Sequence, residues 1–378
     1  MRIGIACYPT YGGPGVVASE LGIELAKRGH EIHIISFALP FRLKEYFERV
    51  YYHEVEVSHY PLFKYPPVTL SAACKMIDIA DSQRLDILHV HYAVPWAVSA
   101  HLAREVLEQN GHRLKIVTTL HGTDITLVGS EPSFFKMTRF GIQCSDALTA
   151  VSKYLELETR KIFEIKSPIE VIHNFVDVER FKPRAKESRC TRRSLAPAGE
   201  RVLIHVSNFR PVKNIPDLIQ IFSLVRKMIK CRLVMVGEGP ELPAARRLAS
   251  ELGLEHDVIF MGAQPAVEEI LTCADVFLLP SAFESFGLSA LEAMSCGLPV
   301  VGTDNGGMSE YITSGVEGWL CRPGDISGMA ERVHGILAHD AEREAMSAAA
   351  RKKALDFMPE KIVNQYEALY ERTLNSHE

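Results

Sequence analysis

Short apolar runs alternate with segments of helix length along most of this chain, and that alternation constrains its fold more than any other feature. A strand that returns parallel to its predecessor needs a crossover long enough for a helix, so the alternation predicts parallel sheets covered by helices on both faces. The runs in the first half lie at residues 3–7, 31–37, 87–91, 115–120, 147–151 and 169–172. Those in the second half lie at residues 202–206, 232–236, 258–261, 276–279, 299–302 and 318–320.

A stretch rich in charge, proline and glycine interrupts this alternation. Because single cores usually stop growing near ~250–300 residues, a chain of 378 residues is expected to hold two domains. We therefore predict an α/β protein with two doubly wound parallel-sheet domains, and the cleft between them is the expected ligand site. The predicted parts are an N-terminal domain at 1–181, a linker at 182–200, a C-terminal domain at 201–357 and a final helix at 358–378 that packs back on the N-terminal domain.

The overall charge argues against some classes of partner. A net charge of -5 and a pI near 6.3 disfavour broad nucleic-acid binding. Residues 41–49 are only weakly basic, because Glu45 and Glu48 dilute the positive charge, so no stable membrane association is expected. The sequence leaves open whether the chain forms a homo-oligomer.

The cysteines form no Cys-x-x-Cys pair and mostly lie in apolar runs. This distribution favours reduced, buried thiols in the cytoplasm over disulfides or a zinc site. The first apolar run, at residues 3–7, is too short for a signal peptide or a membrane span. The cysteines are Cys7, Cys74, Cys144, Cys190, Cys231, Cys273, Cys296 and Cys321.

The segment between the apolar runs at 276–279 and 299–302 is predicted to be a loop followed by a helix. The helix is expected to begin near residues 285–287 and to end at Gly297, and Pro299 prevents it from continuing. The free amides and the dipole at its N-terminus favour an anion there.

Two carboxylates flank the start of this helix, Glu284 in the loop and Glu292 inside the helix. If both were helical they would lie ~12 Å apart along the axis, too far to act on one bond as an acid and base pair. They are better placed to hold two ends of one long ligand, such as a sugar nucleotide with its phosphates over the helix start. The spacing alone leaves open that Glu284 caps the helix and Glu292 is solvated.

A glycine-rich loop follows the first predicted strand. Its segment from Gly13 to Ala18 satisfies G-x-G-x-x-A, a pattern typical of dinucleotide binding. That function also needs an acidic residue at the end of the second strand, where residues 34–37 offer none, so nicotinamide binding is disfavoured. Gly12 and Gly13 are instead expected to let the backbone approach a phosphate or an acceptor at a helix N-terminus; a simple tight turn is the alternative.

His121 follows the predicted strand at 115–120, in a loop that also carries several hydroxyl groups. Its position at the carboxyl end of a strand favours a functional role, although lone histidines are more often structural. His89 and His91 lie in one strand with their side chains on the same face. No third ligand lies nearby in the sequence, so two packed histidines are favoured over a metal site.

No Asp-x-Asp occurs anywhere in the chain, so we expect no carboxylate-held metal at a diphosphate. Fixed cations should then neutralise the phosphates. Lys213 follows the first strand of the second domain and is the candidate, because lysine is a good point charge for phosphate. The alternative is a solvated loop lysine.

Together these features resemble the retaining glycosyltransferases with two facing Rossmann-like domains, the GT-B type. The shared motifs are E-S-F-G-x-x-x-x-E from Glu284 to Glu292, Pro-Val-Lys ending at Lys213, Val-Gly-Glu-Gly-Pro at 236–240 and the N-terminal glycine loop. Further runs resemble the branch of this family that joins GlcNAc from UDP-GlcNAc to the hydroxyl of L-malate in the first step of bacillithiol biosynthesis. Those runs are residues 7–9, 39–43, 89–95, 118–126 and 139–142.

The resemblance implies how the donor is held. By position, Glu292 would bind the ribose hydroxyls, and Glu284 would bind the hydroxyls of the donor sugar. Lys213 and the backbone amides of Gly287 and Leu288 would bind the diphosphate. The donor-binding residues implied are Gly12, Gly13, Asn208, Lys213, Glu284, Gly287, Leu288 and Glu292.

The resemblance also implies where the chemistry takes place. His121 would lie beside the transferred sugar and would join Glu284 and Lys213 as catalytic residues. Attack from the front face, with a leaving phosphate oxygen taking the proton of the malate hydroxyl, needs no protein nucleophile and no metal or other cofactor.

The acceptor site is expected in the first domain. Its candidates are Tyr92, Thr119 and Arg139, because a small dianion needs a cationic or donor-rich pocket. The alternatives are a related glycosyltransferase with another acceptor, such as an inositol phosphate, a sugar or a lipid-linked glycan, or a non-catalytic protein that binds nucleotide sugars.

The chain departs from the family pattern at three positions. Asn208 stands where many members have arginine, and Arg210 is a possible replacement for the missing charge. Ser309 stands where proline is common, which changes the expected shape of that loop. Pro14 stands where the malate branch has serine, which changes the expected acceptor contacts.

Overall fold

Parallel β-strands alternate with α-helices throughout the computed structural model of this chain. The structure describes residues 1–10, 12–57, 62, 64–183 and 190–376, without the side chains of 190 and 191. The strands are β1 Arg2–Ala6, β2 Glu31–Ser36, β3 Val50–Glu54, β4 Ile87–His91, β5 Lys115–Leu120, β6 Ala147–Ala150, β7 Glu170–Val171, β8 Arg201–Val206, β9 Cys231–Val236, β10 Val258–Gly262, β11 Val276–Leu279, β12 Val300–Thr303 and β13 Gly318–Cys321. The helices are α1 Pro14–Lys27, α2 Val68–Gln83, α3 Val98–Gln109, α4 Phe135–Gln143, α5 Lys153–Phe163, α6 Cys190–Leu195, α7 Ile215–Met228, α8 Leu242–Glu251, α9 Val267–Leu271, α10 Leu288–Ser295, α11 Ile326–Ala338, α12 Asp340–Ala354 and α13 Pro359–Asn375.

The chain divides into two units, each with its own sheet. The first consists of Met1–Asn174 together with Pro359–Glu378, and the second is Phe175–Met358. Residues 184–189, in the middle of the predicted linker, lie outside the described residues. In the part of the chain that the structure describes, no helix is long and apolar enough to cross a membrane.

The sheet of the first unit has the order β3-β2-β1-β4-β5-β6-β7, and its neighbouring strands pair in parallel. Ile5 on β1 lies between Ile34 on β2 and His89 on β4. The inner strands β1, β4 and β5 are almost wholly buried, as expected for a parallel sheet with both faces covered. The core on one face includes Trp96, Met76 and Leu88.

The sheet of the second unit has the order β10-β9-β8-β11-β12-β13 and is also parallel. Its core packs α7 and α11 against one face of the central strands through Phe222, Val225 and Val333. The prediction of two doubly wound parallel-sheet domains is therefore confirmed. The seven cysteines whose side chains the structure describes are free, and four of them are buried.

Candidate active site

The order of each sheet reverses at one point, and the loops there carry most of the predicted site residues. In the second sheet the reversal lies between β8 and β11, with β9 and β10 on one side and β12 and β13 on the other. Lys213 follows β8, and Glu284 follows β11. Open parallel sheets bind their ligands at this kind of point, beyond the carboxyl ends of the strands.

Lys213 and Glu284 form an ion pair at this point of the second unit. The Nζ of Lys213 donates to Oε1 of Glu284 at 2.5 Å, and the hydroxyl of Ser281 donates to the same oxygen at 2.7 Å. Glu284 is 7% exposed, and the side chain of Lys213 is 19% exposed. A cation and a carboxylate thus lie side by side where little water reaches them, and their charges act more strongly there than in bulk water.

Glu284 is fixed through its backbone as well as through its side chain. Its N–H donates to Asn305 O at 3.2 Å, and its own carbonyl accepts from Gly307 N at 2.9 Å. Gly306 has a φ of 133°, and a Cβ added there would lie 1.9 Å from Glu284 O, so only glycine fits. Ser309, the departure from the family's proline, donates its hydroxyl to Gly306 O at 2.9 Å and reinforces this turn.

Helix α10 begins at Leu288, next to this ion pair in the sequence, with Gly287 as its N-cap at φ 87°. The buried hydroxyl of Tyr311 donates to the carbonyls of Phe286 at 2.9 Å and Gly287 at 3.0 Å, and burial raises the pKa of Tyr311 well above its usual value. The first amides of a helix have no partner within the helix, so this anchored turn presents donors suited to an anion.

Glu292 lies in the second turn of α10 and is 9% exposed. The N-cap residue is Gly287, which has no side chain, and the Glu284 carboxylate bonds Lys213 and Ser281 instead of a helix amide. The alternative in which Glu284 caps the helix and Glu292 is solvated is therefore excluded. Glu284 and Glu292 are thus two buried carboxylates, one beside the start of α10 and one inside it, and such a pair is suited to hold the two ends of one ligand.

The loop after β8 also contains Asn208 and Arg210, and both are exposed. Close packing of the glycine turn at 237–240 supports this loop. A Cβ on Gly239 would lie 2.0 Å from Asn208 O, and a Cβ on Gly237 would lie 1.8 Å from Ser207 O. In the sequence these glycines are only part of a motif shared with the family; in the structure they let the two loops touch through the backbone.

His121 follows β5 in the first unit and is 8% exposed. Its Nε2 lies 2.8 Å from Nδ1 of His91, and the two rings stack at 5.0 Å. Burial first, and then the charge that His91 would carry, lower the pKa of His121 well below its usual value. His121 is thus a neutral imidazole held on one side by a second histidine.

Asp124 is a functional candidate that the sequence reasoning missed. Its buried carboxylate accepts hydrogen bonds from the backbone N–H groups of His121 at 3.1 Å, Gly122 at 2.9 Å and Ala93 at 3.0 Å. Burial raises its pKa to about 6, an effect that these bonds partly oppose. Asp124 thus connects the loop after β4 to the loop after β5. In the sequence, the feature that could have identified it is an aspartate three residues after a histidine at the end of a strand.

The three acceptor candidates lie in different surroundings. Tyr92 follows β4 with a φ of 90°, and its ring meets that of His121 edge-on at 5.6 Å. Arg139 on α4 is 38% exposed and lies 3.5 Å from Glu164. Thr119 is fully buried on β5, and its hydroxyl bonds His89 Nε2 and the Thr149 hydroxyl, each at 2.6 Å, so a direct ligand contact would have to replace one of these bonds.

The glycine loop of the first unit leads from β1 into α1, with Gly13 as the N-cap at φ 60° and Pro14 as the first helical residue. Among the described residues, no atom lies within 4 Å of a Cβ added at Gly12 or Gly13, and both glycines are exposed. The crowded glycine is Gly15, where a Cβ would lie 2.4 Å from Tyr8 O. Gly13 is thus required by its conformation and Gly15 by packing.

His89 and His91 share one face of β4, as predicted, and their rings stack at 4.5 Å. His89 bonds the hydroxyls of Tyr370 and Thr119, and His91 bonds His121. Within the described residues, no group of three histidine, cysteine or acidic side chains is arranged to hold a metal ion.

Two family models match the chain. Residues 11–180 match Glycosyltransferase Family 4, and residues 189–353 match Glycosyl transferases group 1. The N-acetyl-alpha-D-glucosaminyl L-malate synthase of Bacillus anthracis is 45% identical to this chain over 98% of it and 96% of the relative. A phosphatidylinositol monomannoside mannosyltransferase of Mycolicibacterium smegmatis is 29% identical over 79% of this chain and 80% of its own length.

Solved structures share the fold at lower identity. A glycosyltransferase from Rickettsia africae superposes with a TM-score of 0.81 at 20% identity, covering 100% of this chain and 99% of its own. Anabaena HepE, solved in complex with UDP and glucose, superposes with a TM-score of 0.80 at 20% identity and covers 98% of this chain and 99% of its own. The two parallel sheets, the matched family models and the full-length relative lead to one conclusion: the chain belongs to the GT-B glycosyltransferases of group 1.

Proposed function

We propose that this glycosyltransferase moves GlcNAc from UDP-GlcNAc to the hydroxyl of L-malate, with retention of the anomeric configuration and without a metal, as the first step of bacillithiol biosynthesis. The observation that carries this proposal is the 45% identity to an N-acetyl-alpha-D-glucosaminyl L-malate synthase along nearly the full length of both chains. The geometry within each unit is consistent with these two substrates.

The second unit supplies the groups that a sugar nucleotide needs. Lys213 and the amides at Gly287 and Leu288 are proposed to bind the diphosphate, because a fixed cation and a helix N-terminus both favour anions. Glu292 accepts from the ribose hydroxyls, and Glu284 accepts from the sugar. Without a donor, Glu284 neutralises Lys213, so the bound diphosphate takes over a cation that is already in place.

The first unit supplies the proposed acceptor groups. Arg139 would exchange its contact with Glu164 for a malate carboxylate, and Tyr92 would contribute its hydroxyl. Thr119 would contact malate by exchanging its bond to His89 or to Thr149. The glycine loop at Gly12 and Gly13 leaves room for a ligand to approach the backbone, and His121 is proposed to lie beside the transferred sugar.

The proposed reaction relies on stabilising the leaving group. As the sugar gains oxocarbenium character, negative charge develops on the UDP phosphate, and Lys213 with the start of α10 stabilises that charge. The malate hydroxyl attacks the anomeric carbon from the side that UDP leaves, and its proton passes to a leaving phosphate oxygen. No protein side chain becomes glycosylated, so a covalent sugar adduct trapped on Glu284 would contradict this course.

The test is UDP release from UDP-GlcNAc with and without L-malate, with mass spectrometry of the product. We expect release that depends on L-malate and a product that combines GlcNAc with malate in the α configuration. Succinate is the matched control, because it has both carboxylates and no hydroxyl; it should inhibit but not react. UDP release with an inositol phosphate or a sugar, but not with malate, would show that malate is not the acceptor. Tight UDP binding without UDP release in the presence of any acceptor would refute catalysis.

A further inference from the structure

The hydrogen bond between His91 and His121 has a direction that its surroundings determine. We infer that His91 is a positioning residue that fixes the tautomer of His121, so that His121 presents an Nδ1–H donor to the substrates. The substrate part of this inference rests on the proposed function, whereas the tautomer itself does not.

Both rings are neutral near pH 7. They are buried side by side, and burial lowers the pKa of His91 to about 3 and that of His121 well below its usual value. Each neutral ring carries one N–H and one bare nitrogen. The position of a single hydrogen on each ring therefore decides which atoms can donate.

The contact joins Nδ1 of His91 to Nε2 of His121 at 2.8 Å, so one of these nitrogens must donate and the other must accept. If His121 donated from Nε2, the hydrogen of His91 would have to be on its own Nε2. That atom is buried and has no hydrogen-bond partner among the described residues. The result would be an N–H group buried without an acceptor, which is rare in folded proteins.

The opposite direction avoids this orphaned donor. His91 then donates from Nδ1, and its buried Nε2 is left only with an unused lone pair. His121 accepts at Nε2 and must carry its own hydrogen on Nδ1. That Nδ1 makes no hydrogen bond to any residue that the structure describes, so it is available to a ligand as a donor to a sugar hydroxyl or a carboxylate oxygen.

Asp124 fixes the backbone from which the His121 ring projects. It holds the backbone N–H groups of His121 and Gly122, while His91 holds the ring itself. Among the described residues, the His91 side chain makes its one hydrogen bond to His121, so its effect on the reaction passes through His121.

The direct test is NMR of the ligand-free full chain with 15N-labelled histidine, with the His121 signals assigned by their loss in His121→Gln. We expect the 15N chemical shifts of His121 to show a protonated Nδ1 and an unprotonated Nε2. A protonated Nε2 in His121 would overturn the inference. Because no substrate is present, this result is independent of whether malate is the acceptor.

The kinetic test compares two substitutions of His91. His91→Phe cannot donate and should lower kcat about 10- to 100-fold, with the KM for UDP-GlcNAc unchanged. His91→Asn places an amide N–H near the position of Nδ1 and should recover most of the rate. Equal losses in both variants, or a loss confined to KM, would contradict a donor role for His91.

Tyr370→Phe is the matched control. It removes the partner of His89, the neighbouring buried histidine on the same strand, and leaves the His91 contact intact. It should change neither the His121 signals nor kcat; a change in both as large as that of His91→Phe would show that any disturbance of β4 has this effect.

Discussion

Glu284 is held in place by a glycine on the neighbouring loop. We expect Gly306→Ala to displace the Glu284 carbonyl, which would lie 1.9 Å from the new Cβ, and so to weaken UDP-GlcNAc binding at least tenfold. Calorimetric titration of the donor measures this. Gly324→Ala is the control, because Gly324 also has a positive φ, of 80°, but no described atom lies within 4 Å of its Cβ; similar losses in both would point to backbone strain alone.

The two buried glutamates are predicted to hold different ends of the donor. Glu292→Ala should weaken UDP and UDP-GlcNAc alike, because both ligands contain the ribose. Glu284→Ala should chiefly weaken the sugar-bearing donor and leave UDP affinity largely unchanged. Titration of both ligands into both variants decides this, and an equal loss of UDP affinity in the two would contradict the division of roles.

The loop after β8 contains two candidate cations for the diphosphate. Lys213→Ala should weaken UDP binding about 10- to 100-fold, which corresponds to the loss of a charge-assisted hydrogen bond of about 1.5–3 kcal/mol. Arg210 is exposed, so Arg210→Ala should change UDP affinity less than threefold. If Arg210→Ala had the larger effect, Arg210 would be the replacement for the charge that Asn208 lacks.

At the scale of elements, β4 and the end of β5 bring three neutral histidines together in the interior: His89, His91 and His121. Their pKa values are lowered by burial, so below pH 6.5 the unfolded chain binds protons that the folded chain does not, and stability is lost as pH falls. Asp124 has the opposite effect on stability. Because its pKa is raised to about 6 in the folded state, the folded chain binds a proton there at a higher pH than the unfolded chain does, and this stabilises the fold as pH falls.

Together these four groups are expected to cost the first unit about 3 kcal/mol of unfolding free energy per pH unit between pH 6 and pH 4, at about 1.4 kcal/mol for each of the two uncompensated histidines. His33 and His53, whose pKa values are also lowered by burial, add to this loss. Urea unfolding followed by Trp96 fluorescence, with Trp319→Phe to silence the other unit, measures it. His91→Phe should reduce this slope by the contribution of one histidine, about 1.4 kcal/mol per pH unit. The exposed His339→Phe is the control, and the same slope in all three proteins would be inconsistent with this account.

The sequence predicted most elements because their signals are local. Continuous apolar runs marked the inner strands, and each observed bound differs from the predicted one by one residue at most. It missed the edge strand β3, whose residues Val50–Glu54 are half exposed and include a histidine and a glutamate, so no apolar run announces them. Helix α10 begins one residue after the predicted start, because Gly287 adopts a left-handed conformation as the N-cap.

At the scale of the whole molecule, the sequence was enough to predict the family, but not the residues that hold the site residues in place. The motif around Glu284 lies in one stretch of sequence, and so does the start of α10. Tyr311 and Gly306, which hold that stretch, are about twenty residues away, and His91 is thirty residues from His121. Such pairs are formed by the sheet order, which no local pattern encodes.

The first unit is discontinuous, because α13 joins it after the entire second unit. Tyr366 and Tyr370 on α13 are buried, and Tyr370 bonds His89 on β4. We therefore expect residues 175–358 alone to unfold cooperatively and residues 1–174 alone to lack a cooperative transition. Joining 359–378 to residue 174 through a short flexible linker should restore it, as circular dichroism during urea unfolding would show; a cooperative 1–174 fragment would contradict this.

Helix α13 therefore sets an order for synthesis. A ribosome adds about 5–20 residues per second, so the first unit waits roughly 10–40 s for the segment that covers His89. The second unit can complete its folding while the first unit is still incomplete. The domain that is begun first is finished last, and a premature stop just before Pro359 should damage the N-terminal half of the protein rather than the half in which it lies.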